Sequence, residues 1–376
     1  MFIHESHQPN RLSPEHYTDA THLEHELDTL FRPGWHCVGA LTDLPKHGDY
    51  FTGNLFGQPL IVWRQGDAVH SFLNVCTHRF SLISRKPCGH FDGRIKCQYH
   101  GWEYNEEGDT CQIPDARSFK PMKRGELGLT KFRTETVGQL IFVTVNEDAP
   151  SLKEYLGEYL YELCQRWFTL EHRHTTNLDI EHDCNWKVVI ENVLEGYHVN
   201  CVHPTTFEQY PDPECCTHEI HDYWDRYTDD YSNRGTFTGR EKLVSKLAGV
   251  KPDFVWKHLS RYPNIAMAQM GLFTFIQTVI PVSPTTCRAV WRVFHYPGKP
   301  GRFRTKIAQL MLKKWGSWFL TKVVGEDAEI YPSIQRGIGA GQRPNGGLIS
   351  VREERIFAFQ DFVLKSVTNG NGRAPT

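Results

Sequence analysis

The sequence predicts an α+β chain in two parts, a small antiparallel β-domain followed by a larger domain of helices and antiparallel strands. Three observations carry that reading. Through the first 150 residues, apolar positions alternate or run briefly, and Gly, Asp and Asn punctuate them. From about 150 the apolar spacing becomes helical, then returns to strand-like runs and back again. The 376 residues also suit two or three domains, or one large one, at roughly 100–200 residues each.

The elements follow in order. SPEHYTDATHLEHELDTLF (13–31) reads as a helix packing on the body. DYFTGNLFGQPLIVWRQGDAVHSFLNV (49–75) and GQLIFVTVNED (138–148) read as strands and turns. SLKEYLGEYLYELCQRWF (151–168) is helical, and NWKVVIENVLEGYHV (185–199) is a second helix with Asp183 as its expected N-cap. Strands are expected over 264–296, then helices at 303–323 and around 326–336. The tail SVTNGNGRAPT (366–376) is expected to be disordered. This gives an N-terminal segment over 1–45, a β-domain over 46–150 and a larger domain over 151–365.

Composition excludes several function classes. Forty-two Lys and Arg balance 44 Asp and Glu for a net charge of −2, so no broad basic face for nucleic acid is expected. A content of 39% hydrophobic and 23% charged residues suits a globular chain with a sizeable core. No apolar run approaches the length of about 18 residues that a membrane helix needs. MFIHESHQPNRL has no apolar run like that of a signal peptide, so no membrane association and a cytoplasmic location are expected. Eleven Cys are too sparse for a disulfide scaffold and are expected as thiols.

Two groups of Cys, His and acids stand at ligand spacing. The first is NVCTHRF (74–80) and IKCQYHGWEY (95–104), which offer Cys76, His78, Cys97 and His100. Two Cys and two His would also suit a structural zinc ion. The order favours a Rieske [2Fe–2S] cluster instead. Each loop gives a thiolate to one iron and, two or three residues on, an imidazole to the other, whereas zinc sites usually pair Cys with Cys and His with His. These loops resemble the two cluster loops of Rieske-type non-haem iron oxygenases. The resemblance implies an N-terminal antiparallel Rieske domain and a helix-grip-like catalytic domain. Trp102 and Tyr104 are expected to pack beside the cluster.

The second group lies in NWKVVIENVLEGYHVNCVHP (185–204). On a helix, Glu191, Glu195 and His198 fall on one face, and His203 follows just beyond it. Two imidazoles and a carboxylate on one face of an iron make the facial triad of non-haem Fe(II) oxygenases. The segment resembles the mononuclear-iron motif of the same family, and VVGEDAEIYPSIQRGI (323–338) resembles its C-terminal ligand segment. That resemblance places the third ligand at Asp327; spacing alone leaves Glu326 and Glu329 open. It also implies that Glu195, where Asp is commoner, bridges His198 to a cluster His of a neighbouring subunit, because the two centres of one chain are too far apart. The resemblance therefore implies a homotrimer.

The activity implied is that of a terminal oxygenase, using O₂ and electrons from a separate flavin/iron–sulfur reductase or ferredoxin to oxygenate a small molecule. The short chain, the Glu at the bridging position and the GEDAEIYPSIQRG segment resemble the branch acting on carnitine, betaine or choline. Phe207, Trp256, Phe273 and Phe275, with Tyr262 and Tyr296, lie in segments expected to line a pocket for a trimethylammonium head. A small aromatic acid is the alternative substrate, with Arg292 or Arg261 to hold its carboxylate. A Rieske electron carrier without catalysis is the alternative of another class.

Overall fold

Short apolar runs build the first sheet, and a computed structural model shows them buried in blocks rather than by alternation, Leu60–Trp63 and Leu140–Thr144 being buried throughout. The structure describes residues 2–207, 212–233, 235–251, 253–301 and 303–369. Two units emerge, Arg32–Tyr161 and Met1–Phe31 with Glu162–Thr376.

In the first unit the strands are β1 (His36–Ala40), β2 (Asp49–Leu55), β3 (Gln58–Gln65), β4 (Ala68–Leu73), β5 (Cys88–His90), β6 (Ile95–Lys96), β7 (Glu103–Tyr104), β8 (Thr110–Gln112), β9 (Lys131–Val137) and β10 (Leu140–Thr144). Seven of them form an antiparallel sheet in the order β1-β10-β9-β4-β3-β2-β5, and β6-β7-β8 form a small second sheet. Ile61, Trp63 and Phe72 from the large sheet pack with Trp102 and Tyr104 from the β7 region. Cys76 and Cys97 belong to this same core, so the loops that carry them are anchored by apolar burial at their roots.

In the second unit an antiparallel sheet runs in the order β11-β17-β16-β15-β14-β13-β12. Its strands are β11 (Arg173–His182), β12 (Cys216–Ile220), β13 (Trp224–Asp230), β14 (Val255–Arg261), β15 (Ile265–Met270), β16 (Phe273–Ser283) and β17 (Thr286–His295). Its helices include α1 (Ala20–Glu26), α2 (Trp186–Val193), α3 (Gly235–Ala248), α4 (Phe303–Ile338) and α5 (Glu354–Asn369). Helix α2 lies on β16 and β17, α4 lies on β11 and β17, and α2 and α4 touch each other. A sheet gripped on one face by helices is thus the frame of the site.

The start of α2 differs from expectation. Asn185, not Asp183, is the cap: its side chain accepts from the Lys187 N–H at 3.0 Å, and its own amide donates to the Pro284 carbonyl at 2.8 Å. Lys187 is buried on this helix, and its ammonium donates to both carboxylate oxygens of Glu26 on α1, at 2.6 and 2.8 Å. A lone buried ammonium would be strongly unfavourable, so this pair fixes α1 against α2.

The two helices expected at 303–323 and 326–336 are one helix of 36 residues, with Pro332 inside it. Of the tail expected to be disordered, residues 366–369 continue α5, and 370–376 lie outside the described residues. Among the described residues no helix is long and apolar enough to cross a membrane.

Candidate metal centres and their cavity

The two Cys–His loops share one backbone design. In the first, the Cys76 N–H donates to the Ser81 carbonyl at 2.9 Å, and the Cys76 carbonyl accepts from Phe80 at 3.0 Å. In the second, the Cys97 N–H donates to the Trp102 carbonyl at 2.9 Å, and the Cys97 carbonyl accepts from Gly101 at 3.1 Å. Both loops turn through a left-handed residue four positions after the Cys, Phe80 at φ 59° and Gly101 at φ 72°. Glycine suits that conformation, whereas a Phe there is held against its preference.

The result brings the four side chains together. Cys76 and Cys97 are buried, while the His78 and His100 rings lie toward the surface with centroids 4.7 Å apart. Trp102 stacks on His78 at 4.8 Å, and the Tyr104 hydroxyl lies 3.0 Å from Cys76 Sγ. Burial, and then the hydrogen bond with Cys76, push the Cys97 thiol up from its ordinary pKa. Two inner thiols and two outer imidazoles are the donor set that a Rieske cluster requires.

The second constellation assembles differently from the helical expectation. Helix α2 ends at Val193, so Glu195 and His198 are not on its face. Glu191 is on the helix but turns away, accepting from the Tyr17 hydroxyl and, at 2.8 Å, from Gln360. Glu195 instead folds its carboxylate over the next turn, accepting from the Tyr197 N–H and, at 3.2 Å, from the His198 N–H. A short turn of helix, Val199–Val202, then carries the chain to His203.

His198, His203 and Asp327 meet with their ligand atoms within 4.8 Å of one another. Asp327 Oδ1 lies 3.1 Å from His203 Nε2 and 3.5 Å from His198 Nε2. Neighbouring positions around an ion with bonds of about 2.1 Å lie roughly 3 Å apart, so the three donors fit one metal. The opposite nitrogens are committed. His198 Nδ1 donates to Glu195 and His203 Nδ1 donates to Glu326 at 2.8 Å. Each ring therefore presents its Nε2 lone pair to the site, the arrangement by which carboxylates orient metal-binding imidazoles.

Of the alternatives to Asp327, Glu326 is occupied behind His203, where Thr206 also donates to it at 2.9 Å, and Glu329 is exposed. Burial works against a charged His203, but the hydrogen bonds and charges of Asp327 and Glu326 outweigh it and raise its pKa. Asn192 completes the group, donating to Asp327 at 3.4 Å while its carbonyl accepts from the Tyr331 hydroxyl at 3.0 Å. Sequence reasoning missed Asn192 and the role of Glu326, since neither spacing nor residue type distinguishes them.

A cavity of about 150 Å³ opens beside these three residues. Its wall on α4 is Trp315, Gly316, Phe319, Leu320, Val323, Val324 and Asp327, a single face at helical spacing. The helix can approach because residue 316 is Gly: a Cβ there would fall 2.4 Å from Phe273 Cε1. The sheet contributes Trp256, His258, Met270, Phe273, Phe275, Trp291 and Val293, and Phe207 closes the side next to His203. Among the described residues no Lys or Arg lines it.

Phe207, Trp256, Phe273 and Phe275 thus all border the cavity, while Tyr262 and Tyr296 do not. Tyr262 is buried and donates to Asp225 at 2.6 Å. Neither Arg261 nor Arg292 borders it; Arg261 donates to the Tyr262 carbonyl, and Arg292 to the Trp291 carbonyl at 3.0 Å. Trp291, Trp315 and Phe319 were not foreseen, because aromatic residues on buried strands and helices look the same in sequence whether they wall a cavity or fill a core.

Residues 34–132 match the Rieske [2Fe-2S] domain, and residues 168–369 match the ring hydroxylating alpha subunit (catalytic domain). Choline monooxygenase, chloroplastic, from Spinacia oleracea is 26% identical over 368 residues, covering 93% of this chain and 77% of the relative. The benzene 1,2-dioxygenase alpha subunit from Pseudomonas putida is 35% identical over 197 residues, 51% of this chain and 44% of that one. In fold, the chain resembles the quaternary ammonium Rieske monooxygenase CntA in complex with L-carnitine, with a TM-score of 0.75 at 19% identity, covering 96% and 95% of the two chains. It resembles naphthalene 1,2-dioxygenase from Rhodococcus sp. with a TM-score of 0.70 at 18% identity, covering 95% and 94%.

Proposed function

The chain belongs to the ring-hydroxylating alpha-subunit family, and from that premise we propose that it oxygenates a small quaternary ammonium compound that carries no carboxylate. It is a Rieske non-haem iron oxygenase, with a [2Fe–2S] cluster in one unit and a mononuclear iron in the other. Cys76, Cys97, His78 and His100 would hold the cluster, and His198, His203 and Asp327 the mononuclear iron. When bound, the iron supplies O₂ activation, fed with single electrons through the cluster.

The chain's own residues do the positioning. Glu195 and Glu326 hold the two imidazoles by their Nδ1 atoms, so that both Nε2 atoms face Asp327. The aromatic wall excludes water and orients the substrate. Phe80 is 80% exposed and Tyr99 56% exposed on the cluster loops, which suits a face that docks another protein. We therefore place Glu195 as the bridge to a cluster His of a neighbouring subunit in a homotrimer, supplied in the cytoplasm by a separate flavin/iron–sulfur reductase or ferredoxin.

The cavity is the observation that carries the substrate class. Its faces of Trp256, Phe275, Trp291, Trp315 and Phe319 suit a trimethylammonium head by cation–π attraction, worth up to about 2 kcal/mol each when desolvated. Among the described residues a substrate carboxylate would meet no Lys or Arg there, so carnitine-like and betaine-like compounds, and small aromatic acids, fit less well. Choline-like compounds fit best, in keeping with the relatives that align over most of the chain. A neutral aromatic ring is the second reading, since a cavity of this volume is benzene-sized.

Single turnover of chemically reduced protein with O₂ tests the reading without the reductase. The panel is choline, carnitine, benzoate and toluene, with products identified by mass. An aldehyde or released amine from choline alone is the expected result. A phenol or diol from toluene would transfer the protein to the aromatic reading, and efficient turnover of carnitine would overturn the exclusion of carboxylates.

A further inference from the structure

One cavity residue has a fixed protonation geometry that the metal site does not use. His258 follows Trp256 by two positions on β14, so both side chains leave the same face of the strand. Its side chain is buried, with 4% exposure, and borders the cavity. Behind it, Arg355 of α5 donates from Nη2 to His258 Nδ1 at 2.8 Å. The same guanidinium donates to Asp225 at 2.7 Å, to Ser260 at 3.3 Å and to the Leu194 carbonyl at 3.2 Å.

A guanidinium has donors and no acceptor. His258 Nδ1 must therefore supply a lone pair, and the neutral ring must carry its proton on Nε2. Burial, and then the Arg355 charge, hold His258 well below the ordinary histidine pKa, so the ring stays neutral. Among the described residues Nε2 has no hydrogen-bond partner. Arg355 itself is compensated by Asp225, which is fully buried, so it does not stand as a free cation beside the cavity.

We propose that the Nε2–H of His258 is the specificity-determining donor of the cavity, hydrogen-bonding a neutral oxygen of the substrate while the aromatic wall holds its quaternary ammonium head. The substrate class is thereby narrowed to small quaternary ammonium alcohols or carbonyl compounds, and this rests on the quaternary-ammonium reading above. Arg355 is a positioning residue in this scheme, since it acts only by fixing which nitrogen of His258 bears hydrogen. A substrate lacking the oxygen leaves a buried N–H unpaired, which is the basis of discrimination.

The test compares choline with ethyltrimethylammonium, which differs by the one hydroxyl. Binding to the anaerobic holoenzyme is measured by calorimetry, and kcat/KM by single turnover. The wild-type protein should prefer choline by about ten- to hundredfold. His258→Leu should bring the two compounds within about threefold of each other, by weakening choline and relieving the unpaired N–H that ethyltrimethylammonium meets, and His258→Gln should restore part of the preference. A preference kept by His258→Leu would overturn the role, and so would equal losses on both compounds, the mark of a structural residue. Equal use of both compounds by the wild type would overturn His258 while leaving the quaternary-ammonium reading intact. Use of neither would overturn both.

Discussion

At the scale of single residues, the site is organised by what stands behind each ligand. His198 and His203 each spend Nδ1 on a carboxylate and keep Nε2 for the metal. The Cys and His residues themselves were legible in the sequence because short loops fix their spacing, whereas the carboxylates behind them come from wherever the fold delivers them. Glu326 and Asp327 are adjacent in sequence, yet one faces Nδ1 and the other Nε2 of the same ring. No periodicity argument separates two neighbours on one helix turn, and only the three-dimensional placement of His203 does. The division of labour yields a prediction. His198→Ala should remove the mononuclear iron while the protein stays brown, because the cluster ligands belong to a different unit. Metal analysis should fall from three irons per chain to two, with sulfide unchanged at two. A bleached protein would contradict the assignment.

At the scale of elements, two helices depart from their sequence pattern for physical reasons. The apolar pattern of 185–199 continues through Glu195, but that side chain does better by accepting from the Tyr197 and His198 N–H groups than by standing on a helix surface. With Gly196 next to it, the helix stops and restarts, and the bend delivers His198 to Asp327. In α4 the opposite happens. Two helices were expected, at 303–323 and around 326–336, yet the stripe from Trp315 to Asp327 must stay in phase to wall the cavity and present its ligand, and it does so through Gly325. Burial of that stripe outweighs a glycine penalty of about 1 kcal/mol. Gly316 makes the balance testable. In an ordinary helix Gly→Ala gains up to about 1 kcal/mol, but here the new methyl meets Phe273 at 2.4 Å. Overpacking of that kind typically costs about 1–3 kcal/mol, so Gly316→Ala should destabilise. Its chemical-denaturation midpoint should fall, and a stabilised variant would mean that α4 can shift away from the sheet.

At the scale of the molecule, the two-part architecture was readable from the change of periodicity near 150, but the return of the N-terminus to the catalytic unit was not. Such a contact joins residues some 350 apart in sequence, and no local pattern reports it. Its centre is Glu354 at the start of α5. The carboxylate accepts from the Ile3 N–H at 2.8 Å, the His4 N–H at 2.8 Å, the His4 ring at 2.8 Å and the His218 ring at 2.7 Å. Burial alone would raise its pKa, but the His218, Ile3 and His4 hydrogen bonds overcome that and hold it at about 2. A folded-state value below the ordinary one means that the stabilisation is present in full above the unfolded value of about 4.3. It is lost as pH falls from there toward 2. The linkage is worth about 3 kcal/mol at neutral pH. His218 acts in the same direction at higher pH: burial lowers its pKa, so protonation below about 6.5 favours the unfolded chain. Glu354→Gln should therefore be less stable than the wild type at pH 7 by a few kcal/mol, with the deficit closing between about pH 4.3 and 2. Denaturant unfolding of both proteins across that range reads the difference directly. A deficit that did not change with pH would show that the shape of the side chain, rather than its charge, ties the N-terminus to α5.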